Sequence, residues 1–387
     1  MIKYPYAPSP DFLRRYEQTV LAPTQRRMTE HLETIPEPFK STYTLFFDKC
    51  TLRDLLLCSA DNLIGNIHKI YSEFPELADR YWPAYLLAGA PIPLDIDKYC
   101  IRSKVEKGIL DGICEDAYTF LNHPRFNGLI YSSWLKKCLE EATKHSDKRR
   151  ILYKISNAAF GYVKVNDDNA PNFPEWIENF SKVFNYADLS RNFGIDIVNE
   201  LGIHVCLYCN NEDIQSRGEK VEFRTDLDHF HPKSKFPFLA VTLSNLVPAG
   251  GFCNQSYKRD DDMIDYAHPF VSGVSNKTLF YIEYPAGNKL TENNYSVKLM
   301  PQGGKVDRNL KAFEIAHLYS NNNEIKSWLS RTFSTVDWIL GLGDEDIPQQ
   351  IIDQILDISK PPHATRAKKF MVDSVNQFAG KPVVMFP

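Results

Sequence analysis

No run in this 387-residue chain approaches the roughly 18 apolar residues that a membrane-crossing helix requires. The first residues, MIKYPYAPSPDFLRRY, hold no apolar leader, and the expectation is a soluble cytoplasmic protein. An excess of charge of one sign is also lacking. Lys and Arg number 45 against 49 Asp and Glu, a formal net charge of −4, which excludes a broadly basic surface. A nucleic acid would have to be met by a local patch. There is no internal repeat and no low-complexity tract, which excludes a solenoid and a long disordered segment. Cysteine is sparse, with eight in the chain. Five of them, Cys50, Cys58, Cys100, Cys114 and Cys138, are scattered through helix-like text, where a thiol acts as a small core hydrophobe. A disulfide framework is not expected in so long a chain without a secretory leader.

What is present is ample apolar mass. Hydrophobic residues make up 43% of the chain, with 24 Phe, 20 Tyr and 5 Trp, enough for more than one packed unit at this length. Residues 1–200 read as helices. TLRDLLLCSADNLIGNIHKIY places Leu52, Leu56, Leu63, Ile67 and Ile70 on one stripe, and KRRILYKISNAAFGY does the same with Ile151, Ile155, Ala158 and Tyr162. Breaks are expected at Pro75, at Ala90–Pro93 and at NDDNAPNFPEW. After Leu201 the text changes. CLYCNNEDIQSRGEK reads as a polar loop closed by a Cys-x-x-Cys knuckle, VEFRTDLDHFH as a strand, and the run around FLAVTLSNLVP as a second strand. A short helix from Gly251 would carry Asn254 and Lys258 on one face. In the remainder, TLFYIEY and SVKLM are candidate strands, and NNEIKSWLSRTFSTVDWIL is a helix with Ile325, Trp328 or Leu329, Phe333, Val336 and Leu340 inward. The expected fold class is α+β, divided as a helical region 1–200, a strand–strand–helix module 201–275, and a mixed region 276–387 packing on that module.

Residues 227–258 read LDHFHPKSKFPFLAVTLSNLVPAGGFCNQSYK. Asp228-His229 with Pro232, Asn245-Leu246, Cys253-Asn254 and Lys258 resembles the HNH motif of the ββα-metal, or His-Me finger, nucleases. Cys-x-x-Cys, Asp-His-x-x-Pro-Lys-Ser, Asn-Leu-x-Pro and Cys-Asn-x-x-x-Lys follow one another in order between Cys206 and His268-Pro269, and the specificity lies in the series rather than in any one element. The wording also looks like that of HNH subunits in bacterial anti-phage systems, Septu-type and retron-associated nucleases that work beside an ATPase.

The resemblance implies a role for each residue. His229 would be the general base on the attacking water, for which an imidazole near its ordinary pKa of about 6.5 is suited. Asp228 and Asn254 would be hard oxygen ligands to Mg²⁺ or Mn²⁺. Asn245 would bond the loop backbone and orient the histidine. Lys258, like Lys233 in the loop, would contact a phosphate, with a solvated lysine as the plain alternative for both. His231, two residues past His229 in a strand, would face the same side and assist the base, or else pack on the loop.

Members of the family also brace the module with a zinc held by two Cys-x-x-Cys pairs. Here Cys206, Cys209 and Cys253 are present and Gly250 stands where the fourth cysteine belongs, so the fourth ligand would be His204, His231, a remote cysteine or nothing. The expected function is a metal-dependent endonuclease cutting DNA as the effector of an anti-phage defence system, with a protein partner such as an ATPase. The alternatives are an RNA-cleaving toxin and a non-catalytic nucleic-acid-binding or assembly protein on a decayed HNH core.

Overall fold

The computed structural model describes residues 1–162, 165, 171–214, 227–285, 289–342, 347–356, 360–382 and 384–386. It is α+β and mostly helical, with two small antiparallel sheets. None of its described helices is long and apolar enough to cross a membrane.

The stripe from Leu52 to Ile70 is divided between two helices, Lys49–Leu56 and Leu63–Glu73. Asp48 starts the first by accepting from Thr51 N at 2.6 Å, satisfying a donor that the helix end leaves open. All five stripe residues are buried, because both helices turn their apolar faces to the same core. Pro75 proves to be a helix start rather than only a break, opening Pro75–Tyr81 where a missing N–H costs nothing. Helix His145–Ala159 buries Ile151, Ile155 and Ala158. Tyr162 departs from the expected stripe. The helix ends before Gly161, which sits at φ +75°, and Tyr162 is 73% exposed. Of the scattered cysteines, Cys114 is buried, whereas Cys50 and Cys100 are exposed and do not serve as core hydrophobes.

Asp79, fully buried, ties two of these helices together. Its carboxylate accepts from Tyr131 N, Ser132 N and Ser132 Oγ, at the start of helix Ile130–Glu141. Burial raises its pKa, and the three donors pull the other way.

The helical region grips the segment 230–245 directly. Tyr16 Oη donates to Val241 O and Tyr71 Oη to Lys235 O, while Tyr71 and Trp82 pack on Phe236 at ring separations of 6.1 and 5.0 Å. Near its start the chain runs against the same body, with Ile2 N donating to Leu207 O and Tyr4 N to Pro269 O. One apolar core is continuous through all three regions.

The first sheet pairs β1 (Leu227–His229) with β2 (Leu246–Pro248) in the register Asp228↔Val247 and His229↔Leu246. Both strands are shorter than expected. Residues 221–226 of the first expected strand lie outside the described ones, and FLAVTL forms 3₁₀ turns at Pro237–Leu239 and Leu243–Asn245 instead of extending β2. The second sheet, β3 (Phe280–Glu283) with β4 (Ser296–Leu299), falls on TLFYIEY and SVKLM. Helix Lys368–Phe378 closes over β3, its Asp373 accepting from Leu279 N and Phe280 N while pairing with Lys369 at 2.9 Å. Helix Asn323–Gly341 buries Ile325, Leu329 and Val336, with Trp328, Phe333 and Leu340 partly covered.

Candidate functional site

Asn245 holds the loop that follows β1. Its Oδ1 accepts from His231 N at 2.8 Å, and its Nδ2 donates to His231 O at 2.9 Å and Leu239 O at 3.1 Å. With no solvent contact of its own, it meets both the start and the middle of the loop through one amide. These bonds are short-range in space but span up to 14 residues, so they fix the loop's shape rather than its local turn.

His229 ends β1 inside this frame. Its Nε2 lies 2.9 Å from Ala240 O. A carbonyl has no proton to give, so Nε2 carries the hydrogen and Nδ1 is left as the acceptor. The ring stands edge-on to Tyr186, 4.3 Å between centroids. Burial, reinforced by Lys233, lowers its pKa to about 3, against the weaker raising effect of Ala240 O. The resting imidazole is therefore neutral at any pH near 7. This differs from an imidazole at its ordinary value: the acceptor is always free, but it is a weaker base until negative charge arrives beside it.

Asp228 faces the opposite side of the short strand and is closed off. Lys258 Nζ lies 2.9 Å from its Oδ1, Tyr208 Oη lies 2.5 Å from its Oδ2, and the Asp and Lys side chains are only 3% and 1% exposed. Lys258 Nζ also donates to His229 O at 2.7 Å. The expected phosphate contact at Lys258 thus gives way to a buried counter-ion that ties the end of helix Phe252–Lys258 to β1. Burial raises the Asp228 pKa, opposed by Lys258 and Tyr208.

The helix after Gly251 is a π-helix, with Arg259 N donating to Asn254 O five residues back. Within it Asn254 is half-buried and Lys258 is buried, its ammonium turned inward to Asp228. His231 is not where alternation along a strand would put it, because β1 stops at His229. Its Nδ1 bonds Asp262 O at 2.7 Å and its ring packs on Phe230 and Phe236. Burial lowers its pKa to about 4. His231 is a packed loop residue. Lys233, by contrast, is exposed, its ammonium 4.4 Å above the Tyr186 ring that touches His229.

A second cluster completes the frame. Cys206, Cys209 and Cys253 are joined by Glu212, and the four ligand atoms lie within 4.8 Å of one another. This group could hold a metal ion. The knuckle is made by Asn210 N donating to Cys206 O at 2.7 Å, Cys206 N to Glu212 O at 2.8 Å, and Asn210 at φ +54°. Glu212 is the residue the sequence reading missed, and the signal was its spacing, Cys206-x-x-Cys209-x-x-Glu212. Gly250 explains why it fits. A Cβ built at Gly250 would fall 2.0 Å from Glu212 Oε2, so the carboxylate occupies the room that a side chain at 250 would need. Glu212 Oε1 is held by Phe252 N at 3.1 Å.

Hydrogen bonds from the Cys206 and Cys253 thiols pull the Cys209 pKa well below the ordinary thiol value, while burial lifts Cys206 to about 12 and the two neighbouring thiols lift Cys253. One thiolate is favoured among three, and a divalent cation would draw off the remaining protons. A cavity of about 400 Å³ lined by Cys209, Glu212, Cys253 and His317 reaches the group. His204 and His231 do not belong to it: His231 is committed to Asp262, and neither is among the four clustered residues. No family model, curated protein or solved structure matches the chain.

Proposed function

We propose that the chain is a metal-dependent endonuclease of the HNH type, hydrolysing phosphodiester bonds of DNA as the effector of an anti-phage defence system beside a protein partner such as an ATPase. The observation that carries this reading is the state of His229. A buried imidazole whose Nε2–H is spent on Ala240 O, in a loop braced by Asn245, presents one fixed acceptor, Nδ1. In the reaction a water attacks phosphorus, its proton passes to Nδ1, and the bond to the leaving 3′-oxygen breaks. The incoming phosphate supplies negative charge that lifts the depressed imidazole pKa when the proton must be taken. A Mg²⁺ or Mn²⁺ ion held by Asp228 and Asn254 would supply charge stabilisation on the leaving oxygen. Lys233, exposed beside Tyr186, is the cation available to a phosphate. The cysteine–glutamate cluster is assigned to Zn²⁺, since three thiolates and one carboxylate form a soft-biased set of four.

One observation favours a second reading, a nucleic-acid-binding protein without catalysis. The Asp228 carboxylate is sealed under Lys258 and Tyr208, and a metal ligand that substrate must reach is ordinarily open. Incubating the purified chain with plasmid, single-stranded DNA and RNA in Mg²⁺, Mn²⁺ or EDTA separates the two. Cleavage that needs the ion and is lost in His229→Ala, with unchanged circular dichroism, is the expected result. Binding without cleavage of any substrate, with or without partner proteins, would establish the second reading. Cleavage of RNA alone would reassign the substrate.

A further inference from the structure

Beside the candidate base lies a cavity of about 620 Å³ that the motif does not account for. Its floor is shared with the site: Ala240, whose carbonyl orients His229, and Tyr186, whose ring touches the imidazole, both line it. One wall is the motif loop, with Lys233 and Lys235. The other comes from the helical region, with Arg80 and Tyr81 from helix Pro75–Tyr81 and Lys182 from the short helix Phe180–Val183 that precedes helix Tyr186–Leu201. Arg80 is neutralised by a bidentate pair with Glu178 at 2.8 and 2.7 Å, which sets its guanidinium as part of the wall. Lys182 and Lys233 are exposed at the cavity.

Two properties decide what would enter. Two exposed lysines, Lys182 and Lys233, present their charge to it, and no carboxylate is among the described residues that line it, in a chain whose net charge is −4. The local field therefore selects an anion against the average of the surface. The remaining lining is largely aromatic or apolar, including Tyr81, Phe184 and Tyr186, which suits a flat ring more than a free inorganic ion. The size is that of a small-ligand pocket rather than of a duplex groove.

We propose that this cavity receives one unpaired nucleotide of a single strand, its phosphate on Lys182 and Lys233 and its base enclosed by the Tyr81–Tyr186 wall. The neighbouring phosphate then lies at His229 Nδ1. This deepens the nuclease reading and rests on His229 marking the point of cleavage. The helical region is then part of substrate recognition, and the preferred substrate is single-stranded or locally unpaired nucleic acid. A duplex would have to expel a base first, at the cost of its pairing and stacking.

Binding is the measurement, made in the His229→Ala background in EDTA so that cleavage does not enter. A labelled short oligonucleotide, single-stranded or as its duplex, is titrated by fluorescence anisotropy at two salt concentrations. Lys182→Glu should weaken single-strand binding about tenfold and lower the salt slope by about 0.7 for the lost phosphate contact. Ala187→Trp, at an exposed lining position, fills space without changing charge. It should cost about tenfold through the lost enclosure of the base. Duplex binding should change less than twofold in both. The proposal is overturned if neither variant affects the single strand, if both weaken single strand and duplex equally, if Ala187→Trp alone is neutral, or if the parent binds no single strand. Failure of the nuclease reading would look different: single-strand binding behaves as described, and the His229-containing chain cuts nothing in Mg²⁺ or Mn²⁺.

Discussion

Replacing Glu212 by Gln separates the ligand role of this residue from its structural one. The amide keeps an oxygen for Phe252 N, which now sits 3.1 Å from Oε1, and it removes a carboxylate whose pKa burial raises. Without metal, the variant should therefore differ from the parent by less than about 1 kcal/mol. With metal the difference should be large. An ion present at roughly a thousand times its dissociation constant stabilises the folded chain by about 4 kcal/mol. At roughly 2 °C per kcal/mol for a long chain, that corresponds to a melting shift of about 8 °C, lost on chelation.

Gly250→Cys supplies the opposite test. Its Cβ would fall 2.0 Å from Glu212 Oε2, so the single variant should lose roughly 1–3 kcal/mol by displacing the carboxylate. Combining it with Glu212→Ala clears the clash and creates four thiols, and the pair should be more stable than the sum of the single changes. Metal analysis of protein purified without added zinc, with calorimetry in zinc and in EDTA, reads the parent and all four variants. Less than about half an equivalent of bound metal in the parent, a melting point indifferent to EDTA, and additive single and double variants would together refute the four-ligand reasoning.

The other predictions concern the loop and its neighbours. His229→Ala should lower cleavage by roughly 10²–10⁴-fold without altering the fold, read by single-turnover kinetics beside circular dichroism. Asn245→Ala strips three buried bonds and should cost roughly 2–4 kcal/mol in urea unfolding; a loss under about 0.5 kcal/mol would mean the loop holds its shape without the amide. Asp79→Ala opens the start of helix Ile130–Glu141 and should cost roughly 2 kcal/mol by the same assay, a figure kept moderate by relief of the buried carboxylate. Acid should destabilise the chain from about pH 6.5 downward. The His229 and His231 pKa values are lowered to about 3 and about 4, so the unfolded chain binds protons first. Their stabilisation is complete above the ordinary histidine value and falls by roughly 2 kcal/mol each by about pH 5. Urea midpoints across that range that do not move would contradict the buried neutral assignment.

Much of the secondary structure was legible from local pattern. Period-2 and period-3.6 signals located β3, β4 and the apolar faces of the helices around Leu52–Ile70 and Ile325–Val336, since those positions answer to a core whatever its partner. That Asn245 bonds the loop backbone was what the HNH resemblance implied, and its amide makes those bonds. Helix ends were less legible: Tyr162 continued the periodicity but lay beyond the stop at Ala159. The roles that depend on pairing across the chain were not legible at all. Lys258 looked like a phosphate contact until Asp228, 30 positions away, was found to hold it, and for His231 the choice between assisting the base and packing on the loop fell to packing once β1 ended two residues before it. Glu212 could have been noticed as the third step of a Cys-x-x-Cys-x-x-Glu series, but only the fold puts its carboxylate in the space left by Gly250. The sequence by itself determined which residue types and periodicities were available, because propensity and burial act over a few neighbours. The tertiary structure decided which charges meet, which thiols converge and which acceptor His229 leaves open, because those distances are set by contacts between segments far apart in the chain.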